Sequence, residues 1–279
     1  MNGKLYLCAT PIGNLGDITY RCVEVLKSVD LIAAEDTRRT LGLLNHLSIE
    51  KPMTSYFEHN RREKGEFLIN EMKNGKNIAL VSDAGTPAIS DPGEDLVALC
   101  AECGIDVVPV PGAVAGINAL IASGLPTGRF TFEGFLTVNK RGRSEMLESL
   151  KNEERTMIFY EAPHKLLATL KDMRSVFGNR RISLCRELTK VHEEFFRTDF
   201  DNAVIHYEQN PPRGEFVLVI EGKSHEQAEH EKMEQWTLMT IKEHVEMYMA
   251  QGNSEKEALR LAARDRGKSR RDLYNEYKR

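Results

Sequence analysis

Two short segments hold many of the side chains that can take up a proton or stabilise a charge, and each follows an apolar run typical of a β-strand. Residues 35–39 read Glu-Asp-Thr-Arg-Arg, and residues 186–193 read Arg-Glu-Leu-Thr-Lys-Val-His-Glu. A carboxylate in such a segment can remove a proton from a weak nucleophile, and a neighbouring Arg or Lys can stabilise the anion that develops. The first hypothesis is therefore acid–base chemistry at strand ends.

Each segment also has an interpretation without catalysis. Asp36 or Thr37 is a typical helix N-cap, and acidic residues are favoured at a helix N-terminus, so both interpretations stay open for residues 35–39. Residues 186–193 can instead be a solvated strand end or a dimer contact. We favour catalysis for this second segment because Gly/Pro-rich loops flank it.

Four Gly/Pro-rich stretches interrupt the apolar runs, and together they predict one ligand site. Glycine lets the backbone approach a ligand without a Cβ atom, and proline fixes the turn, so such loops expose N–H and C=O groups. In α/β folds, ligands bind at the edge where the strands end. The first stretch lacks a full dinucleotide fingerprint, which argues against a Rossmann dinucleotide site. The chain also has no P-loop pattern, which argues against nucleoside triphosphate hydrolysis. The stretches are residues 10–17, 82–87, 111–113 and 211–215.

The composition is that of a globular chain. Its 279 residues are 41% hydrophobic, which suffices for one or two sizeable cores. No apolar run is long enough for a membrane span or a leader, and the cysteines are scattered, so we expect a cytoplasmic location. Cys100 and Cys103 have the spacing of a redox pair, but they fall inside a predicted helix. We interpret them as core thiols and predict no metal site.

Short β-rich runs alternate with helical patterns over residues 1–123, which predicts an α/β domain with a parallel or mixed sheet. Residues 124–222 predict a second α/β domain with a mixed or antiparallel sheet. A linker at residues 223–236 and a helical unit at residues 237–279 follow. Predicted strands are 5–9, 31–34, 53–56, 78–82, 107–110, 130–136, 156–160, 182–187, 195–198 and 216–221; predicted helices are 18–28, 37–47, 61–74, 93–103, 113–123, 144–151 and 164–176.

The C-terminal segment is basic although the whole chain has a net charge of −4. Residues 254–279 contain nine Lys/Arg against five Asp/Glu. Ser254 and Glu257 predict a helix start, and Gly267 predicts a turn into a second helix, a pattern similar to a helix-turn-helix. The alternative is a solvated helical tail. We predict contacts with RNA phosphates from the basic side chains of Arg264, Arg266, Lys268, Arg270 and Arg271.

The motifs together resemble the tetrapyrrole-methylase-like (class III) S-adenosylmethionine methyltransferases, in their ribosomal RNA 2′-O-methyltransferase branch. The most specific match is Ser-Asp-Ala-Gly-Thr-Pro-Ala-Ile-Ser-Asp-Pro-Gly at residues 82–93, where porphyrin and corrin methylases carry a shorter Gly-Asp-Pro. This difference favours the RNA branch. The resemblance covers residues 6–16, 30–44, 81–93, 110–135, 159–166, 186–194 and 212–222.

The resemblance implies two α/β domains of the tetrapyrrole methylase type, a cleft between them for S-adenosylmethionine, and a homodimer. It implies cofactor contacts from Ile12, Gly13, Asp83, Thr86, Ala88, Val114, Ala115, Tyr160, Gly214, Glu215 and Phe216. For catalysis we predict Glu161 or Glu187 as the base, with Arg186 and Lys190 on phosphate or alkoxide. His192 is a weaker candidate, and Arg38 is added to the predicted RNA contacts.

The implied reaction is methyl transfer to a ribose 2′-hydroxyl, on a cytidine in the decoding region of 16S ribosomal RNA within an assembled or assembling 30S subunit. Chemistry alone does not choose between ribose and base as the acceptor. One alternative is a methyltransferase that acts on a tetrapyrrole or another small molecule. A second alternative is a non-catalytic ribosome-associated protein that retains a cofactor pocket.

Overall fold

The computed structural model describes residues 2–224, 236 and 239–278. The chain divides into two compact units: residues 1–149 with 155–221, and residues 150–154 with 222–279. Most of the predicted linker at 223–236 lies outside the described residues, as does the C-terminal residue of the predicted basic unit.

The first sheet of the larger unit is parallel and has the strand order β3-β2-β4-β1-β5. Apolar residues fill both of its faces, and β4 is buried throughout, as expected for a parallel sheet covered by helices. The strands are β1 (Leu5–Cys8), β2 (Leu31–Ala34), β3 (Met53–Ser55), β4 (Ile78–Val81) and β5 (Val107–Val110). The helices are α1 (Tyr20–Ser28), α2 (Thr37–His46), α3 (Arg61–Lys73), α4 (Glu94–Glu102) and α5 (Ala115–Ala122).

The connections of this sheet reverse direction beside β1. The chain runs from β1 outward to β2 and β3, returns to β4 on one side of β1, and then places β5 on the other side. The loops that follow β1, β4 and β5 therefore meet at one edge, which is where open α/β sheets bind ligands.

The second sheet is mixed and has the strand order β6-β7-β10-β8-β9, with β6 parallel to β7 and the other pairs antiparallel. Helix α5 packs on this sheet, where Ala119 and Leu120 share a core with Ile158 and Val219. The strands are β6 (Phe130–Phe135), β7 (Thr156–Glu161), β8 (Arg181–Arg186), β9 (Glu194–Asp199) and β10 (Phe216–Ile220). The helices are α6 (Lys140–Ser149), α7 (Pro163–Phe177) and α8 (Phe200–Gln209).

The smaller unit contains α9 (Ile241–Ala250), α10 (Glu255–Asp265) and α11 (Arg270–Tyr277). Each helix begins at a hydroxyl N-cap, and Thr240 forms a complete capping box with Glu243. A small apolar core joins them, formed by Val245, Ala258, Leu259, Ala262, Ala263 and Leu273.

The structure confirms the α/β class and every predicted strand, with boundaries that differ by a residue or two. Two helical predictions were incomplete. Helix α8 was missed, although Asp199 caps it by accepting a hydrogen bond from the Asn202 N–H. Helix α6 begins at Lys140, earlier than predicted, because its first turn is strongly basic and has little apolar periodicity. Among the described residues, no helix is both long and apolar enough to cross a membrane.

Candidate functional site

A cleft of about 550 Å³ lies between the loops that follow β1, β4 and β5 and the strands β7, β8 and β10. Its size falls within the usual range for small-molecule sites. The cleft brings together most of the cofactor contacts predicted from the sequence: Ile12, Asp83, Thr86, Val114, Ala115, Tyr160, Glu215 and Phe216. Gly13 lines an adjoining groove with Lys190. Ala88 lines a second, apolar groove that shares Ile89, Ser90 and Val114 with the cleft, and Gly214 precedes Glu215 in the same loop.

Backbone hydrogen bonds hold the floor of the cleft. The Thr10 N–H donates to the Gly85 oxygen at 2.8 Å, and the Gly85 N–H donates back to Thr10 at 3.1 Å. The Thr86 hydroxyl donates to the Ala113 oxygen at 3.0 Å, which ties the loop after β4 to the loop after β5. Gly85 has a φ of +86°, and a Cβ atom there would approach Ile12 at 3.2 Å. Glycine is thus required both by its φ and by the close approach of the loops.

Tyr160 forms an aromatic wall of the cleft. Its hydroxyl accepts a hydrogen bond from the Gly116 N–H at 3.1 Å, in the first turn of α5. Its ring makes edge contacts with Phe132 and Phe135, with centroids 5.1 and 5.4 Å apart. Burial raises the pKa of Tyr160, so the hydroxyl stays neutral.

Three carboxyl groups line the cleft in the segments that follow β2 and β4: Glu35, Asp83 and Asp91. Asp83 accepts the Asp36 N–H at 3.1 Å and pairs with Arg39 at 3.2 Å. Burial, and next the charge of Asp83, raises the pKa of Glu35. Burial, followed by the charges of Glu35 and Asp83, raises the pKa of Asp91 to about 7, although the nearby Ser82 hydroxyl opposes the shift.

Residues 35–39 divide between the capping of α2 and the lining of the cleft. Asp36 is the N-cap of α2 and accepts the Arg38 N–H at 2.8 Å, as the capping interpretation expects. Glu35 and Arg39, in contrast, line the cleft. Sequence reasoning missed Asp91, whose only signal was its place inside the motif at residues 82–93. Arg38 is exposed and pairs with Asp36 at 2.9 Å.

Glu161, one of the two predicted bases, is buried and lines the cleft. One carboxylate oxygen accepts the Ala162 N–H at 2.8 Å, and the other accepts the Thr169 hydroxyl at 2.5 Å. Both bonds anchor the start of α7. A catalytic role for Glu161 stays a prediction, and its contacts favour a structural role because both oxygens are already occupied.

Glu187, the other predicted base, belongs to an ionic network beside the cleft. Its carboxylate accepts the Glu215 N–H at 2.8 Å and pairs with Lys190 at 3.0 Å, while Lys190 also pairs with Glu215 at 2.8 Å. Burial acts to raise the pKa of Glu187, but the bonds from Glu215 and Lys190 outweigh it and lower the pKa. Arg186 pairs with Glu194 at 2.9 Å across the β8–β9 hairpin. These contacts position the loop that carries Glu215, and they make Glu187 a weak proton acceptor.

Gly214 is essential to this network, and we expect Gly214→Ala to lower the free energy of unfolding by about 1–3 kcal/mol. Gly214 has a φ of +81°, and a Cβ atom there would lie 2.5 Å from the Glu187 Cγ. Displacement of Glu187 would also loosen Glu215 and weaken cofactor binding. Chemical denaturation and cofactor titration measure the two effects.

Gly178→Ala is the matched control, because Gly178 has a φ of +77° but a Cβ atom there would meet no atom of the described residues within 4 Å. Its loss of stability reports backbone strain alone. Equal losses in the two variants, with unchanged cofactor affinity, would contradict a role of Gly214 in the network.

In the smaller unit, the predicted RNA-binding residues separate into two groups. The first group is paired within the fold: Arg264 lies 3.3 Å from Asp265, and Lys268 pairs with Glu276 at 2.7 Å. Arg266 belongs to the same group, since it donates to His244 Nδ1 at 3.0 Å and to the Met239 oxygen at 2.6 Å. Arg270 and Arg271 are exposed at the start of α11 and have no hydrogen-bond or ion-pair partner in the part of the chain that the structure describes. The geometry therefore favours these two arginines as contacts for an anionic ligand, whereas Arg266 is occupied within the fold.

The fold and the cleft define an α/β methylase. Residues 4–204 match the family model described as Tetrapyrrole (Corrin/Porphyrin) Methylases. Among solved structures, uroporphyrin-III C-methyl transferase from Thermus thermophilus complexed with S-adenyl homocysteine has a TM-score of 0.55 and 17% identity; the match covers 78% of this chain and 97% of that chain. This likeness supports the fold.

Sequence relatives are much closer. The chain is 50% identical to a protein of Halalkalibacterium halodurans over 99% of this chain and 94% of the relative, and 50% identical to one of Synechocystis over 98% and 96%. Both relatives are named Ribosomal RNA small subunit methyltransferase I. The chain therefore belongs to the tetrapyrrole methylase family, in the branch of these two relatives. It is an enzyme, a methyltransferase whose methyl donor is S-adenosylmethionine.

The residues of the cleft fit this donor. Backbone loops with little side-chain bulk, the aromatic ring of Tyr160 and the carboxylates of Glu35 and Asp83 suit a ligand with an adenine ring and cationic sulfonium and ammonium groups. When bound, the donor supplies an electrophilic methyl group, so the protein's task is chiefly to align it with the acceptor and to remove one proton.

Proposed function

We propose that this enzyme methylates the ribose 2′-hydroxyl of a cytidine in the decoding region of 16S ribosomal RNA. The observation that supports methyl transfer most directly is one cleft that collects the loops after β1, β4 and β5 and the ends of β7 and β10, as the family resemblance predicts. The names of the relatives support ribosomal RNA as the substrate. The long motif at residues 82–93 supports the RNA branch over tetrapyrrole acceptors.

Charge distribution supports a polyanionic substrate. The chain carries a net charge of −4, yet Arg270 and Arg271 are exposed and unpaired among the described residues. Unpaired arginines on a helix N-terminus suit phosphate, because both the guanidinium groups and the helix dipole attract it. We propose that these two residues position the RNA without reading its sequence.

We further propose that the enzyme works as a homodimer in the cytoplasm on an assembled or assembling 30S subunit. Support for the dimer comes from an apolar groove in which Ile117, Phe130 and Phe132 are 41%, 39% and 39% exposed. Solvent-exposed aromatic residues grouped in this way are typical of protein interfaces. A second copy of the chain is the occupant we propose, since the family resemblance implies a homodimer.

The function is tested with isotopically labelled S-adenosylmethionine and small ribosomal subunits that lack the modification. After nuclease digestion, mass spectrometry identifies the labelled nucleoside, and we expect 2′-O-methylcytidine. Label in a base would overturn the ribose assignment. An unlabelled RNA, with cofactor binding intact, would favour the small-molecule acceptor or the non-catalytic alternative.

A further inference from the structure

Asp91 lies in the cleft at the end of an unusually constrained loop. Ala88 and Ser90 have φ values of +67° and +61°, a region that residues with a side chain seldom occupy. Gly93 has a φ of +145°, and a Cβ atom there would meet Leu80 at 2.8 Å. Non-glycine residues held in such conformations cluster at active sites, where the surrounding structure maintains them. The loop therefore holds Asp91 against the cleft with little freedom to relax.

The groups that face Asp91 make it different from the other carboxylates of the site. Glu35 and Asp83 line the same cleft and act on it with negative charge, and Tyr160 lines the cleft from the second sheet. The Ser82 hydroxyl donates to the Ala84 and Gly85 oxygens at 3.4 and 3.3 Å. Arg39, the nearby cation, is engaged by Asp83 at 3.2 Å. Two carboxylates thus act on Asp91 through space, and among the described residues no cation forms an ion pair with it.

We propose that Asp91 accepts the proton of the acceptor hydroxyl during methyl transfer, with Glu35 and Asp83 as positioning residues. This inference rests on the proposed function and deepens it. The contrast with Glu161 and Glu187 supports it. Glu161 accepts hydrogen bonds at both oxygens, and Glu187 accepts the Glu215 N–H and is neutralised by Lys190, whereas no donor of the described residues is bonded to Asp91.

The step balances with the groups present. The hydroxyl proton passes to an Asp91 carboxylate oxygen while the hydroxyl oxygen forms a bond to the methyl carbon. The carbon–sulfur bond breaks and its electron pair stays on sulfur, which becomes a neutral thioether. Asp91 then releases the proton to water. A carboxyl group with a pKa near 7 suits this task, since about half of it is ionised at neutral pH and the ionised form is basic enough to bind the proton.

The ionised form of Asp91 is the active one, so the rate of transfer should rise with pH, reach half of its plateau near pH 7 and level off about one pH unit above that. Single-turnover methyl transfer to small subunits, measured across pH, isolates this step. We expect Asp91→Asn to lower the plateau rate roughly a hundredfold and to abolish the rise. Asp91→Glu should restore part of the rate. Glu94→Gln is the matched control, because Glu94 is an exposed carboxylate nearby that does not line the cleft.

Glu35→Gln supplies an independent test. Removal of a negative charge beside Asp91 lowers its pKa, so the pH profile should move to lower pH while the rise persists. Full activity and an unchanged profile in Asp91→Asn would overturn the proposal. If Asp91→Asn loses cofactor binding, its rate is uninformative, and the Glu35→Gln variant decides instead. A pH profile of methyl transfer that does not shift in Glu35→Gln would then overturn the proposal. Failure of the proposed function is a separate result, since the unaltered enzyme would then give no 2′-O-methylated product.

Discussion

Reversal of the charge of both Arg270 and Arg271 to Glu is expected to weaken binding to small-subunit ribosomal RNA by several hundredfold at low salt. Each arginine that contacts a phosphate displaces a counterion, and the introduced glutamates add repulsion. The slope of log affinity against log salt concentration should fall by about 2, one unit for each lost contact. Affinity for S-adenosylmethionine should not change, because neither residue lines the cleft. Filter binding or fluorescence anisotropy at several salt concentrations measures both effects.

The matched control is Lys27→Glu with Lys73→Glu, which changes the net charge by the same amount. Both lysines are exposed in the last turns of α1 and α3. If this control weakens RNA binding as much as the arginine pair does, net charge rather than a local contact explains the loss. Loss of cofactor binding in the Arg270 and Arg271 variant would contradict the separation of the two roles.

Arg266→Ala is expected to lower the free energy of unfolding of the smaller unit by about 3 kcal/mol. Its guanidinium donates to His244 Nδ1 and to the backbone oxygens of Met239 and Thr240, at 3.0, 2.6 and 3.2 Å. His244 is completely buried and stacks on Trp236 and Tyr248. Removal of Arg266 leaves polar groups without a partner, which costs more than the bonds themselves.

Thermal and chemical denaturation of the full chain, followed through Trp236, tests this expectation, since Trp236 is the single tryptophan. Arg260→Ala is the control, because Arg260 is exposed and pairs only with Glu257 among the described residues. An Arg266→Ala variant of unchanged stability, with weaker RNA binding and a smaller salt slope, would return Arg266 to the RNA contacts predicted from the sequence.

The sequence does not distinguish the role of Arg266 from that of Arg270 and Arg271. Arg266, Arg270 and Arg271 have the same chemistry and lie close together along the chain, so composition and helical pattern assign them the same role. The turn at Gly267 places them differently: Arg266 ends α10 against His244, and Arg270 begins α11 in solvent. Exposure and partners depend on packing between helices, which spacing along one helix does not specify.

The choice of the catalytic carboxylate likewise could not be made from the sequence. Glu161 and Glu187 were chosen because acidic residues follow predicted strands, and both do lie at strand ends. Whether such a carboxylate is free depends on its neighbours in space, and these come from distant parts of the chain, such as Glu215 for Glu187 and Glu35 for Asp91. The missed helix α8 had a weaker signal, because the preceding strand runs directly into it without a Gly or Pro between them.

The sequence by itself determined the α/β class, the order of the strands along the chain, the loops that form the cleft and the family. These follow from local rules: apolar periodicity selects strand or helix, and Gly and Pro mark the turns where backbone approaches a ligand. The tertiary structure alone decided the strand order across each sheet, which carboxylates are engaged by donors or cations, and which arginines stay unpaired. Those properties depend on burial and on Coulomb interactions between residues far apart in sequence, and only the folded chain brings these residues together.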